Sequence, residues 1–293
     1  MSRIAACLIV KDDSELDKLR NSLNSFAKYV DHIFITGTKE PQEKIKELCK
    51  EYGATWSWFE WCKDFSKARN FNFSQVTKEY DWIFWCDTDD VVVGAENFKI
   101  AIERAEALNI KAIFARYLYQ VELDEKTGAI KQILIEHLRE RLVRNDGSFE
   151  WVAPIHETLM EKVPVGKTDF QDFMVVHLTN QDEMESSMWR NIEILEEEVM
   201  KADEIKVIVP GLGSDESLSQ LKGAHLLAMR DTFRWPTLSD ALRWAQLGKT
   251  VFLQPRNAKF DIDHNRLRIV QDLLLDHPNL RLSVQMHKIL RVQ

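Results

Sequence analysis

Residues Glu79–Val93 read EYDWIFWCDTDDVVV, a wall of aromatic and β-branched side chains that runs straight into three carboxylates, Asp87, Asp89 and Asp90. Trp82 to Trp85 show no polar alternation, which is the pattern of a strand buried on both faces. Carboxylates at the end of such a strand are costly to desolvate unless a cation, a hydrogen-bond network or water meets them. Spacing alone leaves two readings open, a solvated strand-to-loop turn and a divalent-metal site.

Working outward from this strand, the pattern is one of alternation. RIAACLIV predicts a first strand, and SELDKLRNSLNSFAKYV predicts a helix behind a Ser14 cap, with Leu16, Leu19, Leu23 and Phe26 on one face. DHIFITG predicts a second strand, EPQEKIKELCKEYG a helix with Pro41 in its first turn, and ATWSWFEW a third strand. FSKARNFNFSQVTKEY returns to helix before Trp82. Strands alternating with helices of this length imply βαβ units, an α/β class and a mainly parallel sheet, with ligands at the carboxyl ends of the strands. Asp87 and Asp89 fall at such an end.

Beyond Val93, ENFKIAIERAEALNI predicts a helix, and KAIFARYLYQVEL, AIKQILIEHLRERLVR and DFMVVHLT predict strands. SSMWRNIEILEEEVMKAD reads as an acidic helix. The texture changes at DEIKVIVPGLGSDES, so the expected domains are 1–200 and 201–293. The second is expected to be a small α/β segment with strands at KTVFLQP and LRLSVQMHKIL and a helix at NRLRIVQDLLLDHP.

The 293-residue chain is 45% hydrophobic, enough for a substantial core, and its net charge of -8 argues against a general electrostatic grip on nucleic acid. Cys7, Cys49, Cys62 and Cys86 are too widely spaced for a zinc or iron–sulfur cluster and read as buried, reduced thiols. No apolar run reaches membrane-spanning length, and the expectation is a cytoplasmic protein without membrane contact.

Four pieces carry the chemistry: the Asp87-Thr88-Asp89 pair, DFSKARN with Asp64 and Arg69, WVAPIHE with His156 and Glu157, and VVHL with His177. Oxygen ligands at alternate positions suit Mg²⁺ or Mn²⁺. In this order, and together with ACLIVKDD, VDHIFITGT, RERLVRNDGSF and RNIEILEEEV, the chain resembles the family 2 glycosyltransferases over about residues 4–199. The likeness is to a SunS-like bacterial branch that includes peptide S-glycosyltransferases.

That resemblance implies a GT-A fold, Rossmann-like, and transfer of a sugar from a nucleoside diphosphate sugar to an acceptor such as a peptide, glycan or modified nucleoside. It implies Asp87, Asp89 and His177 as metal ligands for Mn²⁺ or Mg²⁺, with Asp89 also catalytic. Asp64, Arg69, Asp87 and His156 are implied around the nucleotide sugar, with a structural ion pair as the alternative role of Arg69, while Lys11 in the KDD after the first strand is either a nucleoside contact or part of an ordinary solvated loop. Glu157 is the candidate general base, and its alternative role is an ion pair with Arg139, Arg141 or Arg144. His177 can equally be a histidine packed at a strand end. The family places an Asp-Thr-Gly-Ser-type turn after its second strand, whereas this chain reads FITGTKEPQ.

From Asp203 the likeness changes. ADEIKVIV, KTVFLQP and HPNLRLSVQMHKIL resemble the C-terminal end of 7-carboxy-7-deazaguanine synthase, a radical SAM enzyme with a TIM-type barrel. No cysteine follows Cys86, so cluster-based radical chemistry is not expected. Gln254, Gln285 and His287 are candidates for polar contact with a purine-like ligand, and the alternative is a packing remnant. Two different endings in one chain suggest a fusion. A non-catalytic nucleotide-binding or assembly protein, or an accessory protein of deazaguanine modification, are the other readings.

Overall fold

The computed structural model describes residues 2–124, 127–178, 181–202, 204–209, 238–255 and 264–282. The chain divides into two compact units, Met1–Asn180 and Gln181–Gln293. The division therefore precedes the boundary expected at residue 200, and the acidic helix Gln181–Lys201 groups with the second unit.

The first unit is α/β, as the alternation of periods predicts. Its strands are β1 (Ile4–Val10), β2 (His32–Gly37), β3 (Thr55–Trp58), β4 (Trp82–Trp85), β5 (Asp90–Val93), β6 (Ile110–Leu123), β7 (Ile130–Arg144), β8 (Phe149–Val152), β9 (Thr158–Glu161) and β10 (Gly166–His177). Eight form one sheet in the order β3-β2-β1-β4-β7-β6-β10-β5, while β8 and β9 form a separate hairpin. β3, β2, β1 and β4 run parallel, β7 opposes both β4 and β6, β10 is parallel to β6, and β5 opposes β10. Helices α1 (Leu16–Phe26), α2 (Glu43–Glu51) and α3 (Phe65–Ser74) link the first four strands, and α4 (Phe98–Ala107) leads into β6.

The unbroken apolar runs have a direct cause: helices or loops cover both faces of the sheet. Ile4, Ala6, Leu8 and Val10 of β1, with Trp82 and Phe84 of β4, pack with Leu19 and Leu23 of α1, Ile45 and Leu48 of α2 and Phe98 of α4. The alternate residues Ala5, Cys7, Ile83 and Trp85 pack with Phe73, Val76, Tyr80 and Trp151 on the other face. Each fully buried side chain of this size contributes about 1.5–3 kcal/mol.

Three local expectations are corrected. The first turn before α1 is a short 3-10 helix, Asp13–Glu15, and its cap is Asp12, whose side chain accepts the Ser14 N–H at 3.0 Å. Pro41 lies before α2, which begins at Glu43, and follows a cis Glu40–Pro41 bond. Cys7, Cys49 and Cys86 are buried free thiols, but Cys62 is exposed.

In the second unit, strands Glu204–Val209, Thr250–Pro255 and Leu280–Leu282 form a parallel three-stranded sheet. Ile205, Ala241, Trp244, Val251, Leu253 and Val270 make its core. Strand Thr250–Pro255, helix His264–Asp276 and strand Leu280–Leu282 make a βαβ unit, which open sheets and barrels share. Gln254 lies on its central strand, while Gln285 and His287 lie outside the described residues.

Candidate functional site

The acidic stretch forms a tight turn at the carboxyl end of β4. The Asp90 N–H donates to the Asp87 carbonyl at 3.1 Å, and Asp90 Oδ2 accepts the Asp87 N–H at 3.0 Å. Asp90 therefore closes the turn on itself and starts β5. Antiparallel pairing of β5 with β10 then sets His177 directly opposite Asp90, and the Leu178 N–H bonds the Asp89 carbonyl at 2.8 Å.

This register brings Asp89, Asp90 and His177 together, with one ligand atom from each within 4.8 Å of the others. His177 Nδ1 is 3.4 Å from Asp89 Oδ1 and 3.2 Å from Asp90 Oδ1. Two ligands at about 2.1 Å from a hard cation and at right angles to each other are about 3 Å apart, so the Asp89–His177 spacing fits one shared ion. Carboxylate oxygens suit Mn²⁺ or Mg²⁺, and an imidazole beside them favours the transition metal Mn²⁺ over Mg²⁺.

Asp90 is differently placed. Its side chain is fully buried, Oδ2 lies 3.0 Å from Nη1 of Arg141, and Oδ1 accepts the Tyr117 hydroxyl at 3.1 Å. Arg141 is itself fully buried between the rings of Trp85 and Tyr117, each 4.2 Å from its guanidinium carbon. With Oδ2 engaged by Arg141 and Oδ1 by Tyr117, Asp90 is suited to holding the turn, and its 3.2 Å contact with His177 is to Nδ1, the same nitrogen that faces Asp89.

Asp87 joins a second cluster. Nη2 of Arg69 lies 2.6 Å from Asp87 Oδ1, and Nε of the same guanidinium lies 2.7 Å from Glu157 Oε1. Arg69 sits on α3, and α3 is docked on β8 by Asn70, which donates to the Trp151 carbonyl at 2.8 Å and accepts the Trp151 N–H at 2.9 Å. The Phe65 N–H bonds the Pro154 carbonyl at 2.8 Å, so the loop carrying Glu157 is tied to the helix carrying Arg69. The ion-pair partner of the Glu157 side chain is thus Arg69. Arg139 instead donates to the Glu157 carbonyl at 2.8 Å, Arg141 serves Asp90, and Arg144 serves Asp81 and Glu106.

The electrostatics separate the acids. Burial would raise the Asp87 carboxyl, but Arg69 and Arg141 outweigh it and hold the group well below the usual carboxylate range. Burial pushes Asp89 up to about 6, with Asp87 and Asp90 adding to the rise while His177 and Lys18 oppose it. For His177 burial acts downward, yet the hydrogen bond to Asp90 and the charge of Asp89 raise it above an ordinary histidine.

The remaining expected residues lie apart from these clusters. Asp64 caps α3, its Oδ1 accepting the Lys67 N–H at 3.0 Å and the Ser66 hydroxyl at 2.7 Å. His156 is exposed, with a left-handed backbone at φ 49. Lys11 is exposed on the loop after β1, and its carbonyl accepts Nε2 of Gln42 at 2.7 Å. That same Nε2 reaches the Lys39 carbonyl at 2.6 Å, so Gln42 organises the turn after β2. Tyr117 and Tyr119 were not singled out by the sequence, although the Tyr119 ring stacks on His177 with centroids 5.5 Å apart. Their alternation along β6 on the side facing the acids was the available signal.

No protein-family profile matches the chain. Over 159 residues it is 28% identical to the TPR repeat-containing protein Synpcc7942_0270 of Synechococcus elongatus, a match covering 54% of this chain and 35% of that protein. The chain thus spans about a third of the length of that curated relative. Among solved structures, S. aureus TarS gives a TM-score of 0.41 at 13% identity, covering 69% of this chain and 40% of TarS. TarS 1-349 in complex with UDP gives 0.40 at 13% identity, covering 69% of this chain and 66% of that one. Glucosyl-3-phosphoglycerate synthase from Mycobacterium tuberculosis, in complex with Mn²⁺, UDP and phosphoglyceric acid, gives 0.41 at 12% identity over 67% of this chain and 78% of that one. Scores of this size transfer no residue roles. No helix among the described residues is long and apolar enough to cross a membrane.

Proposed function

We propose that the first unit is a GT-A-type glycosyltransferase that moves a sugar from a nucleoside diphosphate sugar to a nucleophilic acceptor, with Mn²⁺ or Mg²⁺ held by Asp89 and His177. The observation that carries this reading is the Asp89–His177 pair at the carboxyl end of β4, with 3.4 Å between ligand atoms. A divalent cation bound there would neutralise charge on a diphosphate leaving group.

The chain's own residues supply the rest. Arg69 fixes the carboxylates of Asp87 and Glu157 against each other and so sets the spacing between the metal turn and the loop of residues 153–157. Glu157 Oε1 is engaged by Arg69, and Oε2 is the oxygen to take a proton from an acceptor hydroxyl or thiol. Lys11, with the turn built on Gln42, lies at the ends of β1 and β2, where a nucleoside would meet the sheet. His156 and Asp64 flank the Glu157 loop and the start of α3 and belong to the same donor-binding rim.

A nucleotide-binding protein without turnover is the second reading. The observation favouring it is the direct pairing of Asp87 with Arg69 at 2.6 Å, which withdraws one Asp-x-Asp carboxylate from a cation. Incubation with UDP-, GDP- and dTDP-sugars in Mn²⁺ or Mg²⁺ separates the two. Sugar release or transfer that Asp89→Ala abolishes supports the enzyme. Metal-independent binding with no turnover, unchanged in Asp89→Ala, supports the binding protein. No response to any donor overturns both.

A further inference from the structure

Both acids beside His177 face the same nitrogen, Nδ1, at 3.4 Å from Asp89 Oδ1 and 3.2 Å from Asp90 Oδ1. A cation held by Asp89 and His177 takes that nitrogen, so Asp90 does not steady the ring from its far side. Histidine ligands are commonly oriented through their other ring nitrogen, yet among the described residues no hydrogen bond engages Nε2 of His177. The plane of the imidazole therefore has to be set by something other than a hydrogen bond.

Aromatic rings set it. Tyr119 stacks on the imidazole with centroids 5.5 Å apart and planes 2° from parallel, and Tyr117 meets it edge-on at 5.9 Å and 61°. Turning the imidazole about its Cβ–Cγ bond would drive its edge toward the Tyr119 face, so the parallel ring resists the rotation that carries Nδ1 away from Asp89.

The backbone builds this contact. β10 runs parallel to β6 as far as the pair Val176–Leu118, which leaves His177 and Tyr119 as the next residues along the two strands. On the other side of β6, Leu118 is opposite Glu136 and Gln120 is opposite Ile135, so Tyr119 is an extra residue in the β6–β7 ladder. A bulge of this kind re-aims a side chain and is common beside functional sites. Ring contacts of 5.9 Å to both Tyr117 and His137 then hold the Tyr119 ring. Tyr117 is buried and its hydroxyl is committed to Asp90, but Tyr119 remains 42% exposed. Core packing accounts for the first tyrosine and not for the second.

We propose that Tyr119 is a positioning residue for metal binding, its ring holding the His177 imidazole in the plane that presents Nδ1 beside Asp89. This rests on the reading of Asp89 and His177 as metal ligands and extends it to a residue that acts through the imidazole. The ring carries the role and the hydroxyl does not. Tyr119→Phe keeps the stack, while Tyr119→Leu and Tyr119→Val remove it and leave an apolar side chain in the strand.

Mn²⁺ titration of the full chain, read by the EPR signal of the free ion, measures affinity, and pulsed EPR of the bound ion reads its coupling to an imidazole nitrogen. In Tyr119→Leu and Tyr119→Val affinity is expected to fall about threefold to tenfold, the order of what an aromatic pair contributes, whereas Tyr119→Phe stays within about twofold of the wild type. The nitrogen coupling is expected to be single-valued in the wild type and Tyr119→Phe, spread or lost in Tyr119→Leu and Tyr119→Val, and absent in His177→Ala. Thermal unfolding in EDTA confirms that each variant is folded, and a merely structural role would lower those melts while leaving the coupling intact. A nitrogen-coupled ion in the wild type, matched in affinity and coupling by Tyr119→Leu and Tyr119→Val, overturns the proposal and leaves the metal reading standing. So does equal weakening in Tyr119→Phe, which would place the effect in the hydroxyl. A wild type that binds no Mn²⁺, or binds it without nitrogen coupling, overturns the Asp89–His177 reading and the role of Tyr119 together.

Discussion

Arg141 and Asp90 form an ion pair, Nη1 to Oδ2 at 3.0 Å, in which neither side chain has any exposure. A pair this deep is a weak source of net stability, because both ions lose their hydration, but removing one partner strands the other. Here Arg141 Nε and Nη2 have no hydrogen-bond partner among the described residues, so the guanidinium is not fully compensated even when paired. Arg141→Met is expected to cost about 3–5 kcal/mol in urea unfolding, and Asp90→Asn in the same chain is expected to recover at least half of that. A double variant no more stable than Arg141→Met would show that the stranded carboxylate is not the cause.

Asp89 carries a pH dependence of opposite sign to that of an ordinary paired carboxylate. With burial pushing it up to about 6 against an ordinary aspartate near about 3.9, the native state keeps a proton that the unfolded chain has released. Its contribution to stability is fully present below about pH 4 and is lost as pH rises through about 6. Asp89→Asn cannot ionise. Without metal it is expected to exceed the wild type by about 2 kcal/mol at pH 8, with the difference vanishing towards pH 4. Thermal unfolding in EDTA across that range measures this. The same variant is expected to lose stabilisation by Mn²⁺, and a wild type more stable than Asp89→Asn at pH 8 in EDTA would refute the reading of a buried, unfavourably ionised carboxylate.

Glu157 and Arg69 separate chemistry from donor binding. Glu157→Gln keeps an oxygen for Nε of Arg69 at the present 2.7 Å contact but removes the basic carboxylate. Transfer is expected to fall by about 10²–10⁴-fold, with donor affinity barely changed. Arg69→Met releases both Asp87 and Glu157 and is expected to weaken donor binding as well as turnover. Single-turnover kinetics beside donor titration reads the two apart. Full activity in Glu157→Gln, with chemistry limiting, would leave the residue as Arg69's structural partner alone.

The fold was legible in the sequence wherever one periodicity governed a segment. The unbroken run from Trp82 to Trp85 is readable as a doubly buried strand because its two neighbouring strands and both covering layers demand apolar residues at every position. The site was legible only in part. Asp89 and His177 stand out by residue type and place, but their meeting depends on β5 pairing with β10 in one register, and no local pattern encodes that register. The buried role of Asp90 was hidden for a related reason. Its partner Arg141 lies in RERLVR, where Arg139 and Arg141 stand at alternate positions and look equivalent, and the packing of Trp85 and Tyr117 around Arg141 sets it apart. The cap moved from Ser14 to Asp12 because a 3-10 turn preceded α1, a shift of the kind that helix-end signals do not resolve.

Gly37 and Gln42 act as one unit in the turn after β2. A Cβ at Gly37 would lie 2.7 Å from both Cδ and Oε1 of Gln42, closer than side-chain contacts tolerate. Gln42 is itself fully buried and cannot simply swing away, since its Nε2 ties the carbonyls of Lys11 and Lys39. Gly37→Ala must therefore displace that amide, giving up two hydrogen bonds and leaving the Lys39 carbonyl to find another donor while the Lys11 carbonyl keeps the Lys39 N–H at 2.8 Å, at a cost of about 2 kcal/mol. Gln42→Ala loses the same bonds but also removes the obstruction. Adding Gly37→Ala to Gln42→Ala is then expected to cost almost nothing, a coupling of at least about 1 kcal/mol between the two positions. Donor affinity is expected to fall by a similar amount in both single variants and no further in the double, because each loosens the same Lys11 loop. Strictly additive losses in urea unfolding and in nucleotide titration would show that Gly37 is required by something other than Gln42, and would remove the turn from the donor-binding rim.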